Sequence, residues 1–410
     1  MSEKTLDIVF IARQAIFDRK NKIYGYELLF RSNAIENKTS NPAEMETSQV
    51  IADGFPLIVQ DTRYKYFINF TSQGLLAKDF FSLPANGVVL EILEDIKPSE
   101  QILDVCLEAK NAGYLLALDD YIGEPERVPF LELVDFIKID VLELKPKELV
   151  SLIRDLKILK NQKLYLIAEK VEVKEQLEFC KKLGFDFFQG FFFNKPQIIK
   201  GKKISVLETT KLEILQKLSD YEFDFKEIEQ IIERDVNLAY KLMRYINSPF
   251  WGFRQKVSNI GRALVLLGEI QVKHWLQVTI MSDLATEDRK KELVYLAAFR
   301  GKFLQLLGKE LGFERERQND LFLIGSFSYL DALLDQPLEE ILEHLALSSD
   351  IKAALLDKNH PDHKWIELVS RVEKGAWGQA EKFFKQTNIS IKTVSQCINQ
   401  AHQWAALLQN

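Results

Sequence analysis

Residues 114–121 read Y-L-L-A-L-D-D-Y, and this stretch decides how the rest of the chain is interpreted. A run of five mostly apolar residues ends in two adjacent carboxylates, Asp119 and Asp120. Such a run is typical of a buried strand that brings charge to the rim of a sheet. Neighbouring carboxylates repel, and burying them is costly unless a cation lies between them. The stretch alone is equally compatible with a divalent-metal site and with two solvated aspartates in a turn.

The length and composition are those of a globular protein of two or three domains. The chain has 410 residues, of which 47% are hydrophobic and 28% charged, and its formal net charge is −6. This acidic balance disfavours nucleic acid as a partner. We find no signal peptide and no membrane-spanning run, so we predict a cytoplasmic protein without a membrane partner. The three widely spaced cysteines fit a reducing compartment and predict neither disulfides nor a zinc site.

The first half of the chain alternates strand-like and helix-like segments. Helical spacing appears at 98–112, 147–160 and 173–183. Eight intervening strands predict a closed α/β barrel, the TIM (β/α)8 fold. An open doubly wound sheet is the alternative, but no G-x-G-x-x-G follows the first strand. The strand-like runs lie at 8–12, 24–29, 66–70, 88–92, 114–118, 136–139, 164–168 and 187–193.

Polar side chains lie at or near the ends of nearly all these strands. The ends of parallel barrel strands meet at one rim, where active sites are built. One such residue alone would indicate little, but recurrence on seven strands predicts a shared site. Carboxylate and amide oxygens suit hard cations such as Mg²⁺, Mn²⁺ or Ca²⁺, and do not suit zinc. The set is Glu27, Asn69, Glu91, Asp119, Asp120, Lys138, Asp140, Glu169, Glu172 and Gln189.

The motifs around these residues resemble those of the EAL domain, the family of cyclic di-GMP phosphodiesterases. The family's E-x-L-x-R motif resembles E-L-L-F-R at 27–31, and its K-I-D motif is matched at 138–140. The motifs fall in the family's order over about residues 5–200. The others are N-F-T at 69–71, E-I-L-E at 91–94, D-D-Y-I at 119–122, A-E-K-V-E at 168–172, Q-G-F at 189–191 and K-P at 195–196.

The resemblance implies a modified TIM barrel, in which the first strand can run antiparallel, and a role for each motif residue. If the barrel is active, it would use two divalent ions, Mg²⁺ or Mn²⁺. Glu169 would position or deprotonate the attacking water, with Lys138 nearby. The first ion would be held by Glu27, Asn69, Glu91 and Asp119, and the second by Asp119 and Asp120. Cyclic di-GMP would be contacted by Arg31 and Gln189, with Asp140 and Glu172 also at the ligand site.

Two departures from the EAL pattern bear on catalysis. Leu93 stands where the family has threonine. Residues 121–129, Y-I-G-E-P-E-R-V-P, replace a loop rich in glycine, serine and threonine that couples metal binding to dimerisation. Their two prolines fix φ and stiffen the segment, although Glu94 of the E-x-x-E motif is kept. We therefore expect ligand binding to be retained and hydrolysis to be slow or absent, which leaves the barrel's status as an enzyme open.

The second half has helical spacing and no recurring strands. We place the barrel domain at 1–203 and an all-α domain at 208–410. Residues 227–252 and 257–268, within about 212–283, resemble the HDOD domain, a helical relative of the HD metal phosphohydrolases. None of the five histidines is followed by Asp, so we expect no catalysis here. The aromatic break P-F-W-G-F-R at 249–254 is expected in the core, with a docking patch as the alternative.

The order of the two domains resembles that of EAL–HDOD signalling proteins. We therefore expect a bacterial cyclic di-GMP signalling protein whose barrel binds the dinucleotide. Its helical half would serve as a regulatory output towards a downstream signalling protein, and a homodimer is compatible with the sequence. The alternative is a catalytically dead barrel that acts only as a structural protein-interaction module.

Overall fold

The computed structural model describes most of the chain and divides it into two compact units. The described residues are 9–32, 63–159, 164–190, 193, 226, 228–229, 232, 236–253, 255–284, 288–343, 345, 347–387 and 389–409. The units comprise Met1–Asn194 with Arg371–Lys382, and Lys195–Ser370 with Phe383–Asn410. The domain boundary predicted between residues 203 and 208 lies outside the described residues. Among the helices of the described ranges, none is both long and apolar enough to cross a bilayer.

The first unit is built on eight strands that close into a barrel in chain order. They are β1 Val9–Asp18, β2 Ile23–Ser32, β3 Lys65–Phe70, β4 Val88–Ile92, β5 Leu115–Leu118, β6 Phe136–Asp140, β7 Tyr165–Glu169 and β8 Phe187–Phe188. Neighbours from β2 to β8 are parallel, whereas β1 is antiparallel to both β2 and β8. The predicted modified TIM barrel is confirmed, with its first strand antiparallel.

The described α-helices of the first unit include three that begin and end close to the predicted residues and a short one after β3 that was not predicted. They are α1 Ser72–Leu76, α2 Glu100–Asn111, α3 Pro146–Leu159 and α4 Lys174–Leu183. The Ser99 hydroxyl caps α2 by accepting from the Ile102 amide, which satisfies a donor left open at a helix start. Gly184 ends α4 in the left-handed conformation that glycine adopts without strain.

The first and last strands differ from their predicted lengths. The apolar run predicted a strand at 8–12, but β1 continues to Asp18 through the polar pair Arg13 and Gln14. It does so because β1 pairs with β2 along most of its length, so ladder hydrogen bonds and not apolar content sustain it. The predicted continuation of β8 to residue 193 is wrong, because Gly190 turns the chain with a φ of +147°.

Successive side chains of a strand point to opposite faces, so the apolar side chains of the barrel strands form two clusters. Residues such as Leu90, Leu116 and Ile137 belong to the larger cluster, which includes the inner faces of the helices. The intervening residues face the barrel interior. This interior cluster is Ile16, Phe67, Val89, Ala117, Phe136, Ile167 and Phe187. It forms an apolar floor beneath any site at the carboxyl ends of the strands.

The described elements that follow the barrel in the chain are all helical, and residues 371–382 among them belong to the first unit. The α-helices are α5 Val236–Ile246, α6 Ile260–Leu267, α7 Glu269–Leu284, α8 Asp288–Glu310, α9 Arg315–Phe327, α10 Leu330–Leu334, α11 Leu338–Glu343, α12 Ser349–Leu356, α13 His363–Glu373, α14 Trp377–Gln386 and α15 Ile391–Gln409. Helix α8 packs against α9 and α15. A Cβ at Gly325 would lie 2.7 Å from the Arg300 carbonyl, so this glycine permits the close approach of α9 to α8.

The break between α5 and α6 lies where the sequence predicts it. The Asn247 side chain accepts from the Val257 amide and donates to the Val257 carbonyl, both at 2.8 Å, and so bridges the loop. Asn259 caps α6. The expectation that the aromatic break lies in the core is wrong for Phe250 and Phe253, which are 36% and 40% exposed. Their position beside a short 3-10 turn, Pro249–Trp251, leaves them outside the helix packing.

Candidate active site

Most of the polar residues singled out in the sequence occupy one layer inside the barrel. Each follows a residue of the apolar floor by two positions, so it points the same way and lies nearer the strand end. The pairs are Phe67 and Asn69, Val89 and Glu91, Ala117 and Asp119, Phe136 and Lys138, Ile167 and Glu169, and Phe187 and Gln189. These six polar residues and Glu27 of β2 form what we call the polar layer.

Lys138 is 1% exposed and lies at the centre of the polar layer. Its Nζ is close to four carboxylate oxygens: 2.8 Å from Asp119, 2.9 Å from Glu91, 3.0 Å from Glu169 and 3.5 Å from Glu27. One ammonium cannot neutralise four ionised carboxylates, and buried charge without compensation is costly. The layer therefore favours either protonation of some carboxyl groups or the binding of further cations.

The pKa values of groups in the polar layer are shifted as expected where carboxylates outnumber cations. Burial raises the pKa of Glu91 well above its usual range, although Lys138 opposes the shift. Burial also raises the pKa of Glu169, again against the attraction of Lys138. For Lys138, burial lowers the pKa, but Asp119 and the other carboxylates outweigh burial and raise it well above its ordinary value. Burial thus shifts Glu91 and Glu169 towards the protonated form, whereas the surrounding carboxylates hold Lys138 in its charged form.

Two amide side chains hold Glu27 in the layer. Gln189 Nε2 donates to one Glu27 oxygen at 2.6 Å and to Gln14 Oε1 at 2.8 Å. Asn69 Nδ2 donates to the other Glu27 oxygen at 3.3 Å. Both oxygens of Glu27 are thus oriented, and the carbonyl oxygens of Asn69 and Gln189 are left buried without a hydrogen-bond partner.

The unpartnered oxygens of the layer fit a divalent metal. Neither Glu91 oxygen has a hydrogen-bond partner, and the same holds for one oxygen each of Asn69, Asp119 and Asp120. The Lys138 contacts to Glu91 and Asp119 are ion pairs that lack hydrogen-bond geometry. Carboxylate and amide oxygens are the ligands that Mg²⁺ and Mn²⁺ prefer. The donor set therefore suits the ions that the sequence analysis predicts.

Glu94 brings a further carboxylate to the pair after β5. Carboxylate oxygens of Glu94, Asp119 and Asp120 all lie within 4.8 Å of one another. Burial raises the pKa of Asp120, with a further contribution from the adjacent Asp119. Asp120 also has a φ of +43°, an uncommon conformation for a residue with a side chain. The sequence analysis noted Glu94 only as a kept motif residue and left it out of the ligand set.

Arg127 fixes the segment that follows Asp119 and Asp120. It is 2% exposed and lies on a 3-10 helix, Pro125–Glu132. Its guanidinium donates to the Asp119 carbonyl at 2.9 Å, and to the Leu93 and Ile92 carbonyls at 3.1 and 3.2 Å. The ends of β4 and β5 are thereby joined through one side chain. Sequence reasoning missed Arg127, because its partners are backbone carbonyls that leave no motif.

Lys170 is a second residue that the sequence analysis missed. It stands where the EAL motif has glycine, and its φ of +55° is one that glycine adopts more readily. Its ammonium pairs with Asp140, whose other oxygen accepts from the Leu142 amide at 2.8 Å. The predicted ligand-site residue Asp140 is therefore turned towards Lys170. The signal that could have identified Lys170 was the departure from glycine at this motif position.

A cavity of about 370 Å³ opens above the polar layer. Its lining includes Glu27, Asp119, Asp120, Lys138, Glu169, Glu172 and Gln189. Glu172 is exposed at this cavity, and Gly190 brings the backbone close, since a Cβ there would lie 2.3 Å from the Val171 carbonyl oxygen. The backbone of Arg31 lies on β2 and pairs with Phe10 of β1. The side chain of Arg31 is outside the described part of the structure.

Histidines of the second unit that the structure describes form packing and hydrogen-bond contacts. His274 is 1% exposed, stacks on Phe322 and contacts Asn319 Oδ1 at 2.7 Å through Nε2. His402 Nδ1 contacts the Tyr295 hydroxyl at 2.7 Å. Among the described residues of this unit, no group of three or more His, Cys, Asp or Glu is placed to hold a metal ion.

Two domain families match the chain in the predicted order. The EAL domain matches residues 67–196, and the HDOD domain matches residues 204–325. These matches confirm the resemblances drawn from the motifs. The EAL match begins after β2 and therefore includes all of the polar layer except Glu27.

Two curated bacterial proteins are similar over nearly the whole chain. The Cyclic di-GMP phosphodiesterase CdgJ of Vibrio cholerae serotype O1 is 31% identical, with 98% of this chain and 94% of that protein covered. The Uncharacterized protein YuxH of Bacillus subtilis strain 168 is 30% identical, with 97% and 98% covered. Among solved structures, a match is found to the calcium and cyclic di-GMP complex of Klebsiella pneumoniae BlrP1, with 24% identity and a TM-score of 0.39. The match covers 48% of this chain and 58% of the BlrP1 chain.

Proposed function

Because the chain belongs to the family of proteins that join an EAL domain to an HDOD domain, we propose that it is a cyclic di-GMP signalling protein. Its barrel binds cyclic di-GMP and hydrolyses it slowly. The observation that carries the proposal is the polar layer, in which four carboxylates surround Lys138 above an apolar floor. The name of the relative CdgJ, a cyclic di-GMP phosphodiesterase, supports the choice of ligand.

Two divalent ions, Mg²⁺ or Mn²⁺, complete the proposed site. Glu27, Asn69, Glu91 and Asp119 would hold the first, and Asp119 and Asp120 would hold the second, with Glu94 as a further carboxylate beside that pair. The unpartnered oxygens of these residues support the assignment. When bound, such ions polarise the phosphodiester and lower the pKa of a bound water.

The chain's own residues bind the ligand and move the proton. Glu169 takes the proton of the attacking water, and its pKa, raised by burial, brings it nearer to the working pH of a general base. Lys138, 3.0 Å from Glu169, keeps that carboxylate in place and offsets negative charge. Arg31 binds a phosphate group of cyclic di-GMP, to which a guanidinium is suited. Gln189 contacts the same dinucleotide.

Slow turnover follows from the segment after Asp120. Arg127 ties the Asp119 carbonyl to the carbonyls at the end of β4, and two prolines stiffen the segment further. A segment held in this way adjusts little when ligand and ions arrive. Because misplacing a reacting group by about 1 Å can cost on the order of a hundredfold in rate, this rigidity favours slow hydrolysis.

The helical unit serves as the regulatory output, by contact with a downstream signalling protein. None of its histidines is followed by Asp, the pair that an HD-type metal site needs, and this sequence feature favours a non-catalytic role. Phe250 and Phe253 are exposed three positions apart in the sequence, as expected for a contact surface.

Turnover of cyclic di-GMP tests the enzymatic part of the proposal. Wild type with Mn²⁺ should form the linear dinucleotide slowly, and the Glu169→Gln variant, which keeps the shape but removes the base, should form none. Chromatography of the reaction mixture measures the product. Equal rates for the two proteins would refute the role of Glu169, and fast turnover by wild type would refute the effect assigned to the Arg127 segment.

One observation favours a second candidate, a barrel that acts only as a protein-interaction module. Lys138 already lies within 3.0 Å of three carboxylates, so the polar layer is partly balanced without metal. Under this alternative neither protein turns over, and neither binds cyclic di-GMP with or without Mn²⁺.

A further inference from the structure

The helical unit contains a cavity of about 510 Å³ whose lining is basic. It lies against the first turn of α7, the carboxyl-terminal half of α8 and the first turn of α9. Lys302, Lys309 and Arg315 line it, together with the amide side chains of Gln271, Gln305 and Gln318. A volume of this size is in the range of small-ligand sites, where buried polar groups fix the ligand. We call it the α7–α9 cavity.

Lys302 is the buried cation of this cavity. It is 8% exposed, and its Nζ donates to Gln305 Oε1 at 3.0 Å. Within the described part of the chain, Lys302 has no carboxylate partner at ion-pair distance. Its Nζ also lies 5.5 Å from the centroid of the Trp404 ring, a cation–π contact that supplies no negative charge. A buried ammonium is costly unless it is paired with an anion, so this position favours a negatively charged group from outside the chain.

The other charged residues of the α7–α9 cavity are two cations and one carboxylate that is already paired. Lys309 and Arg315 are exposed at its edge. The acidic residue of the lining, Glu269, is 3.1 Å from Lys273 and so already paired. The cavity therefore presents three cations to a ligand and one carboxylate that is neutralised elsewhere.

Two helices direct their amino-terminal ends at the cavity. The first turns of α7, with Glu269 and Gln271, and of α9, with Arg315, contribute to the lining. Helix α9 has no side-chain hydrogen bond at its N-cap, Glu314. The backbone amides of a first turn lack partners within the helix and favour anions.

An acceptor in the lining also lacks a partner. Gln271 Oε1 is buried and forms no hydrogen bond. The dianion of a phosphate monoester has no donor to offer this oxygen, whereas the N–H or O–H groups of an attached nucleoside would. Apolar side chains, Leu267, Ile270 and Leu306, line the same cavity and suit the face of a base.

We propose that the α7–α9 cavity binds a nucleoside phosphate. Its phosphate group contacts Lys302, Lys309, Arg315 and the amino-terminal ends of α7 and α9. Its nucleoside part donates to Gln271 Oε1 and lies against the apolar wall. This site is separate from the polar layer and does not depend on the function proposed for the barrel.

Calorimetric titration of the full chain tests the proposal. GMP, AMP and inorganic phosphate are added separately in EDTA, so that binding through divalent ions at the barrel is suppressed. We expect saturable binding of at least one nucleotide, with inorganic phosphate at least about tenfold weaker. The Lys302→Met variant should lose at least about tenfold in affinity, because it removes the buried cation. The control Lys358→Met, at an exposed lysine outside the cavity, should bind as wild type does.

Further variants keep the proposal falsifiable if Lys302→Met fails to fold. Arg315→Gln lies at the exposed edge and should weaken every phosphate-bearing probe. Gln271→Leu should weaken nucleotides while leaving inorganic phosphate unchanged. Absence of saturation by all three probes up to about 1 mM would overturn the proposal. So would nucleotide binding that Arg315→Gln and Gln271→Leu leave unaltered, since the ligand would then occupy another site.

Discussion

Two buried lysines, Lys138 of the barrel and Lys302 of the helical unit, lie in opposite electrostatic surroundings. Carboxylates around Lys138 outweigh burial and raise its pKa well above the ordinary value. Lys302 has no carboxylate at ion-pair distance among the described residues, and burial lowers its pKa to about 8. Burial alone therefore does not determine what a buried lysine does. In the polar layer the carboxylates outnumber the one ammonium that could balance them. In the α7–α9 cavity the cationic side chains outnumber the carboxylates.

This difference assigns opposite binding properties to the two units. The polar layer of the barrel gains from cations, because its oxygens outnumber their donors. The α7–α9 cavity gains from anions, because its cations outnumber their acceptors. Substitutions at four positions test this description of the two units, and they differ in the size of the effect expected.

The largest effect is expected from Lys138→Met. The change leaves four carboxylates without their shared cation, and Glu91 among them is fully buried. Removing one partner of a buried ion pair typically costs about 3–5 kcal/mol. We therefore expect the free energy of unfolding of the barrel to fall by that amount in EDTA, measured by circular dichroism in denaturant.

Divalent metal should then restore part of that loss, because a bound Mn²⁺ would supply the missing positive charge. The exposed Lys97 provides a control, since Lys97→Met removes a charge of the same unit without touching the polar layer. A Lys138→Met protein as stable as wild type in EDTA would contradict the electrostatic description of the layer.

A smaller loss is expected from Arg127→Met. The substitution removes the donor to three buried carbonyls, those of Ile92, Leu93 and Asp119. Leaving buried acceptors unsatisfied costs about 1–3 kcal/mol. Chemical denaturation should show a loss of this size, and Mn²⁺ should bind more weakly because Asp119 is less firmly held.

Arg127→Lys separates the two roles of this side chain. A lysine keeps the charge but cannot reach three carbonyls with a planar fork, so it should recover little of the lost stability. Full recovery by Arg127→Lys would mean that charge alone, and not the bridging of β4 to β5, is what the residue contributes.

Most of the fold was predictable, because apolar residues recur in the sequence with the spacing of strands and helices. Alternating apolar strands and capped helices indicated the barrel and its order, and the polar residues two positions beyond the floor indicated the layer. The extension of β1 past residue 12 was not predictable, since Arg13 and Gln14 interrupt the apolar pattern and only pairing with β2 sustains the strand.

The contacts between side chains on different strands of the site could not be predicted from the sequence. The motif K-I-D identified Lys138, but its contacts with carboxylates from four other strands depend on barrel closure. Arg127 was missed because it binds backbone carbonyls, which every residue has. The α7–α9 cavity was missed because its cations come from two helices with unremarkable helical spacing.

The buried imidazole of the helical unit gives a pH dependence. Burial lowers the pKa of His274 to about 3 from the ordinary value near 6.5. Between these values the unfolded chain binds the proton and the folded chain does not, so stability is full above about pH 6.5 and falls as the pH drops towards about 3. At about pH 5 the loss should reach about 2 kcal/mol, at about 1.4 kcal/mol per pH unit.

Tryptophan fluorescence can follow this unfolding, because four of the five tryptophans, at positions 251, 275, 365 and 404, belong to the second unit. His274→Gln keeps a side chain able to contact Asn319 but does not titrate, so the variant should lose less stability than wild type between about pH 6.5 and 5. Parallel pH profiles for the two proteins would show that His274 does not remain neutral in the folded unit.

The smallest effect is expected from Lys170→Gly. Glycine relieves a left-handed conformation that costs a side-chain-bearing residue about 1–2 kcal/mol. The lost pair with Asp140 offsets part of this gain, because the Lys170 side chain is 56% exposed and exposed pairs contribute about 0–1 kcal/mol. Denaturation should show a net gain below about 1 kcal/mol, and a clear loss would mean that the Asp140 pair is stronger than its exposure indicates.

The central claim is that the polar layer takes cations together with cyclic di-GMP. Calorimetric titration of the full chain with cyclic di-GMP, in Mn²⁺ and in EDTA, tests it most directly. The account predicts saturable binding of one ligand per barrel that is tighter in Mn²⁺, and loss of that metal dependence when Asp119→Asn removes the carboxylate shared by both ions. Absence of binding in Mn²⁺, or equal affinity in Mn²⁺ and EDTA, would contradict it.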